Sequence, residues 1–312
     1  MSIYFLTTSL LSLKVGFYRL LCCCFSIYAW YALRKARKQL NFVFAAITNT
    51  NKFPLTKYEA FSLVYFYFFP VAFGIIGAVV NTVYNEYSFD VYGFETSTNI
   101  RIIFHFTRYT LLSLVNPTLP NFLLLLFCII CQRLSWQLNT ITSAIQECPI
   151  PDFTLIKQAD ILQRYSRLND IVDVMKMVFS VPLFFICVSH FGFSIIILGG
   201  IILNGYMFAG NYLMLIRKVM ILLSTFAGLL AFLWIAGGLP DEEERMKDAF
   251  QRKIQKRRIS QPISNEICLK KYMSEKTNFV FSMCNIIHFR RSSIAALAGT
   301  ILTYTIVLVS KD

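Results

Sequence analysis

Apolar segments alternate with charged ones along this chain, and the alternation predicts its elements. Two features mark the apolar segments as membrane-spanning helices: their length and their scarcity of charges. Asn116, Pro117 and Pro120 interrupt the third segment and predict a kink there. We therefore expect an all-α, polytopic transmembrane helical bundle with six spans, at residues 3–33, 60–84, 102–131, 178–203, 212–239 and 294–309.

The charged segments also predict helices. Apolar residues recur at spacings of three and four within residues 132–176, which favours a cytoplasmic helix that runs straight into the next span. Four acids follow Pro240 and cations come later, as the helix macrodipole favours. Pro262 should end that helix, and another is expected at residues 264–289. We divide the chain into transmembrane helices with the cytoplasmic loop (1–239), a cytoplasmic helical anchor region (240–291) and a short last transmembrane helix (292–312).

Composition places the chain in a membrane. Of its 312 residues 56% are hydrophobic and 15% are charged, which is too little charge to cover a soluble globule. The net charge of +13 does not indicate nucleic-acid binding, because the cations lie in segments between predicted spans. Residues 34–59, 133–176 and 240–291 hold 23 of the 30 Lys and Arg, and this bias predicts that they are cytoplasmic. The acidic loop with Glu86, Asp90 and Glu95 is then outside, and a multi-pass plasma-membrane protein with an extracellular carboxyl terminus is expected.

Residues with catalytic or metal-binding chemistry are sparse. The three histidines, His105, His190 and His288, are far apart in sequence, and no HExxH or GxSxG motif occurs. None of the nine cysteines falls in a loop predicted to be outside, so no disulfide framework is expected. We therefore predict neither an enzyme nor a cofactor or metal site.

The last segment carries a family resemblance. Thr303 and Tyr304 are followed by the five apolar-leaning residues 305–309 near the end of the chain, which resembles the insect gustatory receptor signature TYhhhhhQF. Ser310 and Lys311 stand where that family has Gln and Phe. The segment ILQRYSRLNDIVDVMKMVFSVPLFF, at residues 161–185, also resembles the family's passage from a charged cytoplasmic helix into its fifth membrane helix.

The resemblance implies a ligand-gated cation channel subunit that detects small-molecule tastants. It implies a homo- or hetero-tetramer with related receptor subunits, in which the last helix lines the pore. The pore-lining residues would be Thr303, Ile306, Val307 and Ser310. The family has seven spans and six are predicted here, which agrees if this chain lacks the family's first helix. The alternative is a non-conducting, receptor-like membrane protein or a modulatory subunit.

A ligand site is expected at the outer depth of the spans before the last one. Pockets between bundled helices are mostly apolar with a few polar groups. The alternative is that polar and aromatic residues at this depth only pack helices or sit at the membrane interface. The expected partners are the lipid bilayer and a small-molecule ligand, and the candidate ligand-binding residues are Asn81, His105, Tyr109, Asn204 and Tyr212.

Overall fold

The computed structural model describes residues 2–48, 57–83, 97–203, 212–260, 279–284, 287–288 and 291–309. Nearly all of them are helical, which confirms the predicted all-α bundle. The helices are α1 (Ser2–Lys35), α2 (Arg37–Thr48), α3 (Lys57–Val83), α4 (Thr98–Ser113), α5 (Leu119–Glu147), α6 (Leu155–Leu203), α7 (Tyr212–Ser260) and α8 (Ser292–Val309).

Most of the helical residues belong to helices that contain an apolar stretch long enough to span a membrane. Within the described residues five of them are long and apolar enough to cross a bilayer, by length and composition. A shorter apolar stretch, Ala298–Val307, belongs to α8. In this bundle α3 packs on α4, α5 on α7, and α1 and α8 on α6. The last helix is short and carboxyl-terminal, as expected.

The predicted kink in the third span is present. Leu114–Thr118 form one π-helical turn between α4 and α5, where Asn116 leaves the helical region with φ −152° and ψ 117°. A residue before proline is pushed away from the helical conformation, and Pro117 has no N–H to donate. The span therefore consists of two helices at an angle, and α5 then continues without a break to Glu147.

The core lies between α5, α6 and α7. Phe127 of α5 is fully buried, and its ring lies 5.2 Å from Phe179 of α6 and 5.5 Å from Phe232 of α7. The same cluster of buried residues continues beyond the apolar spans to Tyr165 and Phe250. The spans and their charged continuations thus share one core.

The charged parts of α5, α6 and α7 lie together at one end of the bundle, which we call the extended end (residues 132–176 and 240–260). There the Tyr165 hydroxyl donates to Glu243 Oε1 at 2.6 Å, and Lys247 Nζ lies 2.7 Å from the same oxygen. The helix expected after Pro240 is not separate, because α7 passes through Pro240 and continues to Ser260. The apolar stretch ends near this proline but the helix does not.

The helix expected at residues 264–289 is wrong over its described part. Ser282–Met283 (β1) and Ile287–His288 (β2) pair as short antiparallel strands. Phe279 and Phe281 are both buried, and residues two apart share one side in an extended chain but not in a helix. The packing of these two rings therefore requires extended backbone. The remainder of that prediction, residues 264–278, lies outside the described residues.

Candidate functional site

A cavity of about 650 Å³ lies between α3, α5 and α7. Its walls are mostly apolar, with a row of small side chains on α7 at Ala227, Gly228 and Ala231. The side chains of Leu223, Ala227 and Ala231 are exposed at the surface of the bundle, so the cavity is open along this side of α7. On α5 the lining runs from Asn121 to Gln132, which is roughly 16 Å at the helical rise per residue. The space is therefore elongated along the helices.

The end of the cavity near the extended end carries a partly buried ion pair. Arg133 Nη2 lies 3.1 and 3.2 Å from the two carboxylate oxygens of Glu59. The Glu59 side chain is 4% exposed and that of Arg133 is 16% exposed. Glu59 begins α3 and Arg133 follows the apolar part of α5, so the pair joins two spans at the edge of their apolar segments. Glu59, Ser62 and Gln132 make this end of the cavity polar.

The other end of the cavity carries an amide network. Asn121 Nδ2 donates to Ser224 Oγ at 2.9 Å, and Asn121 Oδ1 lies 2.9 Å from His190 Nε2. All three side chains are buried, and they belong to α5, α7 and α6 respectively. A Cβ at Gly228 would lie 2.4 Å from Asn121 Oδ1, so glycine is needed for this close approach. Asn121 and Ser224 line the cavity, and the network therefore links its wall to three helices.

Three of the five predicted ligand-binding residues come together, at the end of the bundle opposite the extended end. Asn81 Nδ2 donates to the Tyr109 hydroxyl at 2.7 Å and lies 3.5 Å from His105 Nδ1. The His105 and Tyr109 rings are stacked, with centroids 6.4 Å apart. Tyr212 is 69% exposed at the start of α7, and Asn204 lies outside the described residues. We call Asn81, His105 and Tyr109 the outer cluster.

A cation also contacts the outer cluster. The Arg217 guanidinium carbon lies 5.0 Å from the centroid of the Tyr109 ring, within cation–π range. Arg217 Nη1 is buried and has no hydrogen-bond partner among the described residues. This arrangement joins α7 to the α3–α4 pair.

The last helix touches the bundle along one side. Thr305 is 1% exposed, whereas Ile306 and Val307 are 57% and 44% exposed and Thr303 is exposed as well. The predicted pore-lining residues Thr303, Ile306 and Val307 thus share a face that points away from the core. Tyr304, the other motif residue, is 56% exposed, and Ser310 lies outside the described residues.

Ionic and aromatic contacts fix the beginning of α8 to α7. Arg291 Nη1 lies 3.2 Å from Asp241 Oδ2, and the guanidinium carbon lies 4.8 Å from the Trp234 ring centroid. Trp234 and Asp241 flank Pro240 on α7. The start of the last helix is therefore held at the extended end.

The fold is similar to two solved structures of the insect olfactory receptor OR5 from Machilis hrabei. One matches with a TM-score of 0.63 at 13% identity and covers 93% of this chain and 78% of that chain. The other, a complex with eugenol, matches with a TM-score of 0.61 at 15% identity and covers 95% and 80%. This chain has the fold of that olfactory receptor.

This likeness covers the fold alone, because so few residues are identical. No protein-family model matches the sequence. Comparison with curated proteins also gives no match. The predicted multi-pass helical architecture is thus confirmed, and the gustatory resemblance enters the proposed function below.

Metal-binding chemistry is sparse in the described part of the chain. No three His, Cys, Asp or Glu side chains there lie close enough to hold a metal ion. Cys128 and Cys131 have CxxC spacing, but both are free thiols buried among apolar residues of α5. The described polar groups that face the large cavity are suited to binding a ligand by hydrogen bonds and charge.

The local sequence pattern predicts neither the Glu59–Arg133 pair nor the Asn121 network. Glu59 and Arg133 are 74 positions apart, and nothing in the local pattern of either segment pairs them. A usable signal was present nonetheless, since each is a charged residue at the edge of an apolar segment. Intramembrane polar residues such as Asn121 and His190 are also functional candidates on general grounds.

Proposed function

We propose that this protein is a chemosensory receptor of the gustatory type, a ligand-gated cation channel subunit that detects small-molecule tastants. Its fold supports a receptor of the insect chemosensory kind, and the Thr303-Tyr304 motif with the 161–185 segment favours the gustatory type. The observation that carries the ligand-gated part is the elongated cavity between α3, α5 and α7. A mostly apolar cavity with polar groups at both ends suits a small amphipathic molecule.

The proposed pore is formed by the last helix of each of four subunits. The exposed face with Thr303, Ile306 and Val307 supports this role, because it leaves α8 free to meet other subunits or a water-filled axis. The Thr303 hydroxyl donates to the Gly299 carbonyl at 2.9 Å, so it is satisfied within its own helix. Such a face combines apolar side chains with a hydroxyl group. A non-conducting receptor or modulatory subunit is the second candidate, favoured by Lys311 at a position where the family has Phe.

Current recording from cells that express the chain, alone and with candidate partner subunits, tests this function. The cells are exposed to a panel of sugars, bitter compounds and small apolar molecules. A current evoked by a panel member supports the channel. Absence of current in every combination, with the protein at the cell surface, favours the non-conducting alternative.

A cavity-filling variant tests where the ligand binds. Ala231→Phe adds a ring to the cavity wall, and we expect it to abolish the evoked response while surface expression is kept. Val71→Phe is the matched control, because Val71 is 44% exposed on α3 and does not line the cavity. Equal responses from both variants would place the ligand elsewhere.

A further inference from the structure

Another cavity, of about 490 Å³, lies at the extended end between α5 and α7, and we call it the basic groove. Its wall on α7 carries four cations, Arg245, Arg252, Lys253 and Lys256, and a single acid, Asp248. This bias continues along the helix, since seven of the residues 245–260 are Lys or Arg and one is acidic. The groove is therefore a cleft lined mainly by charge of one sign.

Contacts with acids neutralise only part of this charge. Arg245 Nη1 lies 3.2 Å from Glu242 Oε1, and Arg252 Nη2 lies 3.8 Å from Asp248 Oδ2. Lys253 Nζ donates to a backbone carbonyl of α5 at 3.1 Å, which is a neutral partner. With Glu242 counted beside Asp248, four cations face two acids, a net charge of +2. An anion is attracted by this excess of charge, whether or not any one cation is paired.

The opposite wall, on α5, presents uncharged polar groups. Asn139, Ser143 and Gln146 line the groove, and all three residues are exposed. They lie at spacings of four and three, so they share one face of the helix. Amide N–H and hydroxyl groups donate hydrogen bonds to anionic oxygens. An anion in the groove therefore meets cations on one side and neutral donors on the other.

The basic groove begins beyond the edge of the membrane-spanning segments. Asn139 lies roughly 10 Å past Gln132, where the apolar part of α5 ends, and Lys256 lies roughly 24 Å past Pro240. The headgroup layer extends only about 5–8 Å beyond the hydrocarbon on each side. Most of the groove is therefore in contact with water, on the side that the charge bias predicts to be cytoplasmic.

We infer that the basic groove binds a compact anion that carries several phosphate groups. Arg and Lys bind phosphate oxygens by charge-assisted hydrogen bonds, and a cleft lined by one sign of charge concentrates ligands of the opposite sign. Cations spread from Arg245 to Lys256 span roughly 16 Å, which several phosphate groups can contact and one carboxylate cannot. The volume is that of a small-molecule site. This site is separate from the cavity between α3, α5 and α7 and does not depend on the proposed function.

The phosphate groups have two sources with the same chemistry. One is a soluble inositol polyphosphate, and the other is the headgroup of a phosphoinositide in the bilayer. The depth of the groove favours the soluble anion, because its far end lies beyond the headgroup layer. The experiment therefore varies the lipid as well as the added compound.

Equilibrium binding of radiolabelled inositol hexakisphosphate to the purified full chain in phosphatidylcholine nanodiscs tests the inference. Inositol monophosphate is the matched ligand, with the same ring and one phosphate. We expect the hexakisphosphate to bind at least about tenfold more tightly. Equal affinities, or no binding of the hexakisphosphate, overturn the inference.

The same measurement in nanodiscs that contain phosphatidylinositol 4,5-bisphosphate identifies the source. Nanodiscs with phosphatidylserine at equal total charge are the control, because a negative membrane by itself repels the soluble anion. Weaker binding in the phosphoinositide nanodiscs than in this control supports the site and assigns it to the lipid headgroup. Equal binding in the two supports the site and assigns it to the soluble anion.

Charge variants test whether the groove itself is the site. Arg245→Gln/Arg252→Gln removes two exposed cations of the groove, and we expect the affinity for the hexakisphosphate to fall about tenfold. Arg164→Gln/Arg167→Gln is the matched control, because it removes two exposed cations of α6 that do not line the groove. Equal losses in the two variants would show general attraction to the extended end and would overturn the site.

A filling variant tests the groove without a change of charge. Ser143→Phe places a ring in the groove, and we expect it to weaken binding of the hexakisphosphate about tenfold. Thr140→Phe is the control, since Thr140 is exposed on the same helix and does not line the groove. Unchanged binding in Ser143→Phe, with the protein folded, overturns the inference.

Discussion

At the residue scale, the packing of Tyr109 explains how the outer cluster forms. A Cβ at Gly77 would lie 2.5 Å from the Tyr109 ring, so glycine lets the ring lie directly on α3. One turn farther along α3, Asn81 bonds the Tyr109 hydroxyl at 2.7 Å. The same side chain thus packs α4 against α3 and presents its ring to Arg217.

The outer cluster is tested by His105→Ala and Tyr109→Ala. If it contributes to ligand recognition, each variant should weaken the ligand response, because each removes a ring of the stacked pair. The measurement is a dose–response curve corrected for surface expression. Tyr67→Ala is the control, since Tyr67 is 79% exposed on α3. Unchanged responses at normal surface expression would mean that the cluster only packs the two helices together.

There is a physical reason why the sequence predicted some of these features and missed others. The depth of Asn81, His105 and Tyr109 follows from their positions in apolar segments, and residues at equal depth on adjacent helices can meet. Which helices are adjacent depends on tertiary packing, which periodicity does not encode. The candidate ligand-binding residues predicted from the sequence therefore include all three residues of the outer cluster, but the sequence predicted neither the cavity nor the contact of Glu59 with Arg133.

At the element scale, helix ends and membrane edges do not coincide. Both α6 and α7 are 49 residues long and contain a proline, Pro182 and Pro240 respectively. A helix satisfies its backbone hydrogen bonds internally in lipid and in water, so a change in polarity marks the edge of the bilayer but does not end the helix. Composition thus predicted the spans, while the continuity of α7 through Pro240 was missed.

The segment that carries Phe281 contacts all three core helices. The Phe281 ring lies 5.0 Å from that of Phe127 on α5. The Ser180 hydroxyl of α6 donates to the Ser282 carbonyl at 3.2 Å and accepts from the Cys284 N–H at 2.8 Å. The Phe279 N–H donates to Glu243 of α7 at 2.6 Å. Residues 279–284 therefore fix the chain that precedes α8 to the core.

Replacing Phe281 by Ala tests how much this segment contributes to stability. Phe281 is 2% exposed, and we expect Phe281→Ala to lower the free energy of unfolding by about 3–5 kcal/mol, because it leaves a cavity beside Phe127. Thermal unfolding of the purified protein in detergent measures the shift. Ile259→Ala is the control, since Ile259 is 81% exposed on α7 and should have little effect. Equal shifts in the two variants would show that residues 279–284 contribute little to the core.

At the scale of the whole molecule, charge distinguishes the two ends of the bundle. The extended end contains 12 of the 24 Lys and Arg residues in the described ranges. They include Lys253, which donates to the Gln146 carbonyl at 3.1 Å, and Arg257, which donates to the Phe153 carbonyl. The acidic loop predicted to lie outside, residues 86–95, is not among the described residues. The positive-inside bias predicts that the extended end is cytoplasmic.

An epitope tag inserted after Ser260, the last residue of α7, tests this orientation. We expect antibody to reach the tag only after the cells are permeabilised, because the extended end should face the cytoplasm. A tag at the carboxyl terminus, expected outside, serves as the comparison. Labelling of the Ser260 tag on intact cells would overturn the orientation and, with it, the proposed extracellular carboxyl terminus.

Ser310 and Lys311 affect whether a tetramer of this chain is expected to conduct cations. Ser310 is seven residues after Thr303, two helical turns, so in a continued helix it shares the face of Thr303 and Ile306. The gustatory resemblance implies a pore-facing Gln at the position of Ser310, and Lys311 replaces Phe beside it. Four Lys side chains around one axis would repel cations, by roughly 1 kcal/mol per pair of charges about 4 Å apart in water and by more where the dielectric constant falls.

We therefore predict that the homomer conducts cations weakly or not at all, and that a related partner subunit is needed for current. The variant Ser310→Gln/Lys311→Phe should raise the ligand-evoked current of the chain expressed alone, measured at matched surface expression. Lys311→Phe by itself separates removal of the charge from restoration of the amide. If the two residues are only a solvated end of the chain, the variants should leave the current unchanged. A robust cation current from the unmodified chain alone contradicts the prediction, because the lysine ring would then present no barrier to the permeating ion.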